Sequence, residues 1–214
     1  MRIGVFDSGI GGEAVAHALS HEFPDADIMT VSDREHMPYG TRPADEVAYL
    51  TETAIKPLLE SGCDAIVLAC NTATAAAIET LREKHPTQPF IGLEPMLKPA
   101  AALSKSGVIA VLATPTTLAS QRYVSAKQEY TAGVRVIEPD CSDWAELIEN
   151  NELNREQIDA IVQECMAADA DVIVLGCTHY HWMKHEIIET AGLNAVVLEP
   201  SEAIARRLRE LLHI

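Results

Sequence analysis

The chain is poor in positive charge. Its 214 residues include 16 Lys and Arg against 32 Asp and Glu, a formal net charge of −16. A phosphate backbone must be neutralised by concentrated Lys and Arg, so nucleic acid is excluded as a partner, and an anionic membrane surface with it. The excess of acid reads first as a solubility device. It still allows an acidic small molecule, provided that backbone donors receive it. No apolar run approaches the roughly 20 residues that span a bilayer. The N-terminus, Met1-Arg2-Ile3-Gly4-Val5-Phe6-Asp7, lacks the apolar core of a signal peptide and runs straight into a strand pattern. There is no Cys-x-x-Cys pair. The five cysteines (Cys63, Cys70, Cys141, Cys165 and Cys177) are an odd number with no secretion signal, which predicts reduced thiols in a cytoplasmic protein. Low-complexity and Gly/Ser linker segments are also missing, so any join between parts of the chain should be short and packed.

What is present is a hydrophobic content of 48%, enough for a sizeable core. The length suits one domain or two of about 100 residues each. An internal repeat favours two. Ala65-Ile66-Val67-Leu68-Ala69-Cys70-Asn71-Thr72 resembles Val172-Ile173-Val174-Leu175-Gly176-Cys177-Thr178-His179, with the cysteines 177 − 70 = 107 positions apart. Val5-Phe6-Asp7-Ser8 pairs with Val111-Leu112-Ala113-Thr114 at 114 − 8 = 106, and Leu93-Glu94-Pro95 with Leu198-Glu199-Pro200 at 199 − 94 = 105. The period is too long for a solenoid or propeller repeat. Buried parallel strands resemble one another in any case, being Val/Ile/Leu runs followed by small residues.

Short apolar runs alternate with helical patterns almost throughout. Strands are predicted at 3–6, 28–32, 65–69, 90–93, 108–112, 134–137, 172–175 and 195–198. Helices are predicted at about 12–22, 44–60, 73–84, 96–105, 116–129, 155–168, 181–190 and 201–212, with Pro57 kinking the second of them. The alternation implies an α/β fold of parallel sheets covered by helices. Ligands then bind beyond the carboxyl ends of the strands. The polar residues there are Asp7-Ser8-Gly9, Asp33, Cys70-Asn71-Thr72, Thr114, Cys177-Thr178-His179 and the two Glu-Pro pairs.

Both repeated cysteines are predicted where a strand ends and a helix begins. Unpaired amides and the positive dipole end of a helix favour a thiolate there, and also a ligand carboxylate. A single cysteine so placed reads as an inert buried residue; two at matched positions suggest thiols facing one carbon from opposite sides. Cys63, Cys141 and Cys165 have no such context. The run Gly9-x-Gly11-x-x-Ala14, with Asp33 after the second strand, also fits a dinucleotide-binding turn. Asp7 speaks against it, since its carboxylate would face an anionic pyrophosphate; it suits an ammonium group better. His181 and His185 have the i, i+4 spacing of metal ligands, but no third ligand is evident and solvated surface histidines are the plainer reading. His179, closer to the strand end, is the better candidate for orienting Cys177 or the ligand. The turn-rich loop Met37-Pro38-Tyr39-Gly40-Thr41-Arg42-Pro43 carries an exposed Tyr and reads either as a plain connection or as a binding loop closing Tyr39 and Gly40 on the ligand.

At these residues the chain closely resembles glutamate racemase, within the cofactor-independent aspartate/glutamate racemase superfamily. The motifs are Phe-Asp-Ser-Gly-Ile-Gly-Gly at 6–12, Pro-Tyr-Gly-Thr-Arg at 38–42, Ala-Cys-Asn-Thr-Ala at 69–73 and Leu-Gly-Cys-Thr-His-Tyr at 175–180. The resemblance implies two pseudo-symmetric, doubly wound parallel-sheet lobes, 1–95 plus 200–214 and 96–199, with the site in the cleft between them. It implies that Cys70 and Cys177 are the acid/base thiols, assisted by Asp7 and His179. Ligand contacts would come from Asp7, Ser8, Tyr39, Gly40, Asn71, Thr72, Thr114, Thr178 and His179, with Asp33 and Glu149 as supporting acids. It implies no cofactor and no metal, a cytoplasmic homodimer, and supply of D-glutamate for peptidoglycan. The chain departs from the family after Pro200, where little more than one helical pattern follows, and at Tyr180-His181-Trp182-Met183 and His36-Met37. An aspartate-preferring or broad-specificity racemase, a non-catalytic module for an acidic metabolite, and a dinucleotide-dependent oxidoreductase are the competing readings.

Overall fold

The computed structural model describes all 214 residues. They form two compact units, one of residues 1–94 and 200–214 and the other of residues 95–199. The first unit contains β1 (Arg2–Asp7), α1 (Gly11–Glu22), β2 (Asp27–Ser32), α2 (Ala44–Ala54), α3 (Lys56–Glu60), β3 (Ala65–Leu68), α4 (Asn71–Lys84) and β4 (Phe90–Gly92). The second contains α5 (Leu97–Leu103), β5 (Val108–Leu112), α6 (Pro115–Ala119), α7 (Gln121–Tyr130), β6 (Arg135–Ile137), α8 (Trp144–Glu149), α9 (Arg155–Ala167), β7 (Val172–Leu175), α10 (Lys184–Ala191) and β8 (Val196–Leu198). The last helix, α11 (Ser201–Leu212), belongs to the first unit. No helix is long and apolar enough to cross a membrane.

Each unit holds a four-stranded parallel sheet of the same connectivity, β2-β1-β3-β4 and β6-β5-β7-β8. The central strands β1, β3, β5 and β7 are buried on both faces apart from Arg2. That is why they read as unbroken Val/Ile/Leu runs rather than alternating ones. Within the first sheet the side chains still alternate faces. Phe6, Ile66 and Leu68 pack against Val47, Leu50, Leu58, Ile78 and Leu81 of α2, α3 and α4. Ile3, Val5, Ala65 and Val67 pack against Val15 and Leu19 of α1 and Ile204 and Leu208 of α11. In the second unit, Ile109, Val111, Val172 and Val174 share a core with Leu97, Ala100 and Tyr123.

The predicted strands recur within two residues of their expected limits. Three helical patterns are interrupted. The pattern at 44–60 splits at Ile55 into α2 and α3, because Pro57 sits in the first turn of the second piece, where its missing N–H costs nothing. The pattern at 116–129 breaks at Ser120, whose extended backbone and side chain cap α7 through the Tyr123 amide. The pattern at 181–190 begins as a 3-10 segment, Thr178–Met183, before α10.

The start of β7 is fixed electrostatically. Asp171 accepts from the Ser104 hydroxyl (2.6 Å) and from the amides of Lys105 (2.6 Å) and Ser106 (2.8 Å). Partial burial opposes its ionised form, but these donors outweigh it and bring the carboxyl down to about 2. The folded value therefore lies below the ordinary one of about 3.9, so the contribution is complete above pH 4 and is lost as pH falls towards 2. Asp171→Asn is expected to lower stability at neutral pH by about 1–2 kcal/mol, the low end for charge-assisted bonds at a partly exposed site. Urea midpoints should show the deficit shrinking between pH 4 and pH 2; a deficit constant over that range would exclude the ionised carboxylate as its source.

Candidate active site

In the first unit the functional candidates gather at the carboxyl ends of β1, β2 and β3. Asp7 closes β1, is buried, and accepts from the Gly9 amide through Oδ2 (2.9 Å). Its carboxylate thus occupies the amide that a dinucleotide phosphate would need from this turn. Gly12 serves the same carboxylate: a Cβ there would lie 2.5 Å from the Asp7 Cβ, so only glycine lets α1 approach so closely.

Cys70 is the N-cap of the 14-residue α4, and its Sγ accepts from the Ala73 amide at 3.4 Å. The Ser8 hydroxyl lies 3.5 Å from the same sulfur. A backbone donor, a hydroxyl and the positive end of a helix all favour negative charge on this atom. Beside it, Asn71 is 4% exposed and neither Oδ1 nor Nδ2 of its amide has a hydrogen-bond partner. A buried primary amide without partners is rare in a folded protein, which makes Asn71 a candidate to receive a ligand. Thr72 is buried in the same turn. Thr74 anchors the start of α4 by donating to Leu68 O (3.1 Å) and accepting from Leu93 N (3.1 Å).

Tyr39 is not exposed, as the turn-rich loop suggested, but 1% exposed, packed on Phe6 within the core cluster that includes Cys70. Its hydroxyl donates to Asp33 Oδ2 at 2.6 Å. Burial, together with Asp33, raises its pKa far above the ordinary tyrosine value, so it stays a neutral donor. Gly40 is buried next to it. Asp33 is joined to Asp7 through its backbone N–H, which donates to Asp7 O (3.1 Å).

In the second unit the corresponding positions are Thr114 after β5 and Cys177 after β7. Thr114 caps α6 by accepting from the Thr117 amide (3.4 Å) and donates its hydroxyl proton to Thr117 Oγ1 (3.0 Å). Cys177 departs from the expectation: it precedes the six-residue 3-10 segment rather than an α-helix, and its side chain makes no cap bond. Its neighbour is instead His179, whose Nδ1 is 3.8 Å from the sulfur and whose Nε2 is 2.8 Å from Glu149 Oε1. His179 and Glu149 have side chains only 4% and 8% exposed, so this is a buried pair. The carboxylate fixes a proton on Nε2 and sets the ring plane towards Cys177. Glu149 ends α8, a helix the sequence pattern did not predict. Thr178 is buried here too.

Two contributors were missed. Tyr180 is fully buried, donates to Cys141 O (2.8 Å) and meets the Trp144 ring edge-on at 5.4 Å, pinning the 3-10 segment that follows Cys177. Its only sequence signal was its place in Leu-Gly-Cys-Thr-His-Tyr. His36 bonds to Asp33, a pairing that the i, i+3 spacing in a turn could have suggested. His181 and His185 do not share a helical face: the first lies in the 3-10 segment, and the second, in α10, pairs with Glu189 at 3.2 Å. Burial, against the raising effect of Glu199, brings His181 down to about 4. Cys141 and Cys165 are buried, which pushes both thiols up to about 12, and Cys63 is buried as well.

The two identically connected parallel sheets thus each carry a cysteine beyond the corresponding strand, Cys70 after β3 and Cys177 after β7. The family model described as Asp/Glu/Hydantoin racemase matches residues 12–208. A glutamate racemase of Methylococcus capsulatus is 41% identical over 214 residues, covering 98% of this chain and 79% of that protein. One from Ectopseudomonas mendocina is 38% identical, covering 98% and 81%. The crystal structure of Escherichia coli glutamate racemase with L-glutamate and the activator UDP-MurNAc-Ala superposes with a TM-score of 0.91 at 26% identity, over 99% of this chain and 82% of that one. The chain belongs to the Asp/Glu/hydantoin racemase family.

Proposed function

We propose that the protein is a glutamate racemase that needs no cofactor, interconverts L- and D-glutamate by proton transfer between two thiols, and supplies D-glutamate for peptidoglycan. The observation that carries this reading is the repeated cysteine, Cys70 after β3 and Cys177 after β7, each beside groups that stabilise a thiolate or hold a proton. The substrate follows from the relatives, which are glutamate racemases at 38–41% identity.

In this mechanism one thiolate removes the α-proton while the other thiol donates to the opposite face, and the reverse reaction exchanges the roles. Inversion therefore needs both sulfurs within reach of one α-carbon. The intermediate carries charge next to a carboxylate, and donors aimed at that carboxylate bear the stabilisation. Asn71, Thr72 and Thr178 are the candidates, with Asn71 favoured by its uncompleted amide. Asp7 is the candidate partner of the ammonium group, with Ser8, Thr114, Tyr39 and Gly40 shaping the pocket. Asp33 supports Tyr39, and Glu149 supports His179. A cytoplasmic homodimer is part of the same proposal, as the motif resemblance implies.

The test is incubation with each enantiomer of glutamate and of aspartate in heavy water. The expected result is loss of optical rotation from either glutamate enantiomer with deuterium entering at the α-carbon, and much slower exchange with aspartate. A glutamate-dependent thermal shift without deuterium uptake would replace the enzyme with a binding module.

A further inference from the structure

We propose that His36 is a positioning residue for the substrate: it clamps the Asp33 carboxylate and thereby fixes the Tyr39–Gly40 turn that meets the ligand. The proposal rests on the racemase reading for what that turn receives, and on the loop's own geometry for the clamp.

His36 lies at the node of the 33–42 loop. Its Nδ1 sits 2.8 Å from Asp33 Oδ1 and 3.1 Å from Oδ2, so the ring donor straddles the carboxylate. Beside an anion that nitrogen must carry the proton. The Tyr39 hydroxyl takes Asp33 Oδ2 at 2.6 Å. The His36 carbonyl accepts from Arg42 Nε at 2.7 Å, and Arg42 Nη1 reaches Glu46 Oε1 at 2.5 Å at the start of α2. Three consecutive links therefore run from the end of β2, through His36, to α2. The Tyr39–Gly40 turn is enclosed between them.

Asp33 is 12% exposed at its side chain and His36 43%. The histidine thus covers the outer side of the carboxylate, while Tyr39 covers the inner side. Without the imidazole, Asp33 can rotate towards solvent and take the Tyr39 hydroxyl bond with it. Tyr39 would then keep a buried hydroxyl without its carboxylate, left to the Thr51 hydroxyl, or leave its place on Phe6. Either outcome changes ligand reception, while the Ala73 amide and Ser8 hydroxyl that bear on Cys70 Sγ stay in place. An Asn side chain can place its amide Nδ2 close to where the His Nδ1 lies, so it can restore the donor without the ring.

The experiment compares wild type, His36→Ala and His36→Asn by steady-state kinetics with glutamate and by amide hydrogen exchange of residues 34–42. His36→Ala should raise KM about tenfold, the equivalent of one lost positioning hydrogen bond, with kcat unchanged. Exchange across 34–42 should quicken in the same variant. His36→Asn should bring both values back towards wild type. Wild-type KM and exchange in His36→Ala would overturn the proposal. So would an Asn variant as impaired as the Ala variant, since the donor would then not be the operative group. If the wild type itself fails to racemise glutamate, the proposed function falls and the exchange data alone decide the clamp.

Discussion

Cys70→Ala and Cys177→Ala are each expected to abolish racemisation of glutamate in both directions. A positioned acid or base contributes about 10²–10⁴ in rate, and in the proposed mechanism each direction needs one of each. Neither alanine leaves a base at the sulfur's own position: the Ser8 hydroxyl lies 3.5 Å from Cys70 Sγ, and His179 Nδ1, 3.8 Å from Cys177 Sγ, is held where it is by Glu149. The isotopic pattern is more informative than the rate. One remaining thiol can remove a proton and return a deuteron to the same face, which exchanges one enantiomer without inverting it. Each variant should therefore exchange at most one enantiomer slowly, and the two should differ in which one. Undiminished turnover in either variant would remove the two-thiol mechanism. Equal, inversion-linked exchange in either would do the same.

Glu149→Gln should have the next largest effect, a fall in kcat of roughly 10²-fold with KM little changed. Glutamine has nearly the volume of glutamate and can keep a hydrogen bond to His179, so the thermal midpoint should move little. What it cannot do is require a proton on Nε2, because an amide offers either a donor or an acceptor. The imidazole facing Cys177 would then lose its fixed tautomer and the carboxylate that balances any positive charge it takes up. Kinetics in both directions combined with a melting curve check this. A parallel loss of stability and activity would make the pair structural, and an unchanged kcat would remove His179 from proton transfer.

The parts of the molecule legible in the sequence were those governed by burial. The central strands had to be continuous apolar runs because helices cover both faces, and Asp7, Cys70, Thr114 and Cys177 stand at or just beyond their carboxyl ends. Short-range competition was harder to read. A 3-10 segment and an α-helix share the same apolar spacing over one turn, so the helical start after Cys177 was assigned to the wrong geometry. Helix α8 is only six residues long, too short for periodicity to mark, and Glu149 at its end was reached through resemblance alone. Tyr39 shows a third limit. Turn residues around an aromatic suggest exposure, but here the ring is drawn inward by Phe6 and its hydroxyl by Asp33, contacts that only folding brings together.

The unlike surroundings of the two sulfurs have a consequence for how such an enzyme can be tuned. One is capped by a helix amide and a serine, the other is backed by a histidine on a glutamate. Mirror-image substrates have equal free energies in water, so kcat/KM must be identical for the two at every pH. Any difference between the thiols can then surface only as compensating shifts in saturation and maximal velocity. A lopsided device is thereby obliged to be even-handed at low substrate, and its asymmetry becomes visible only when the pocket is full.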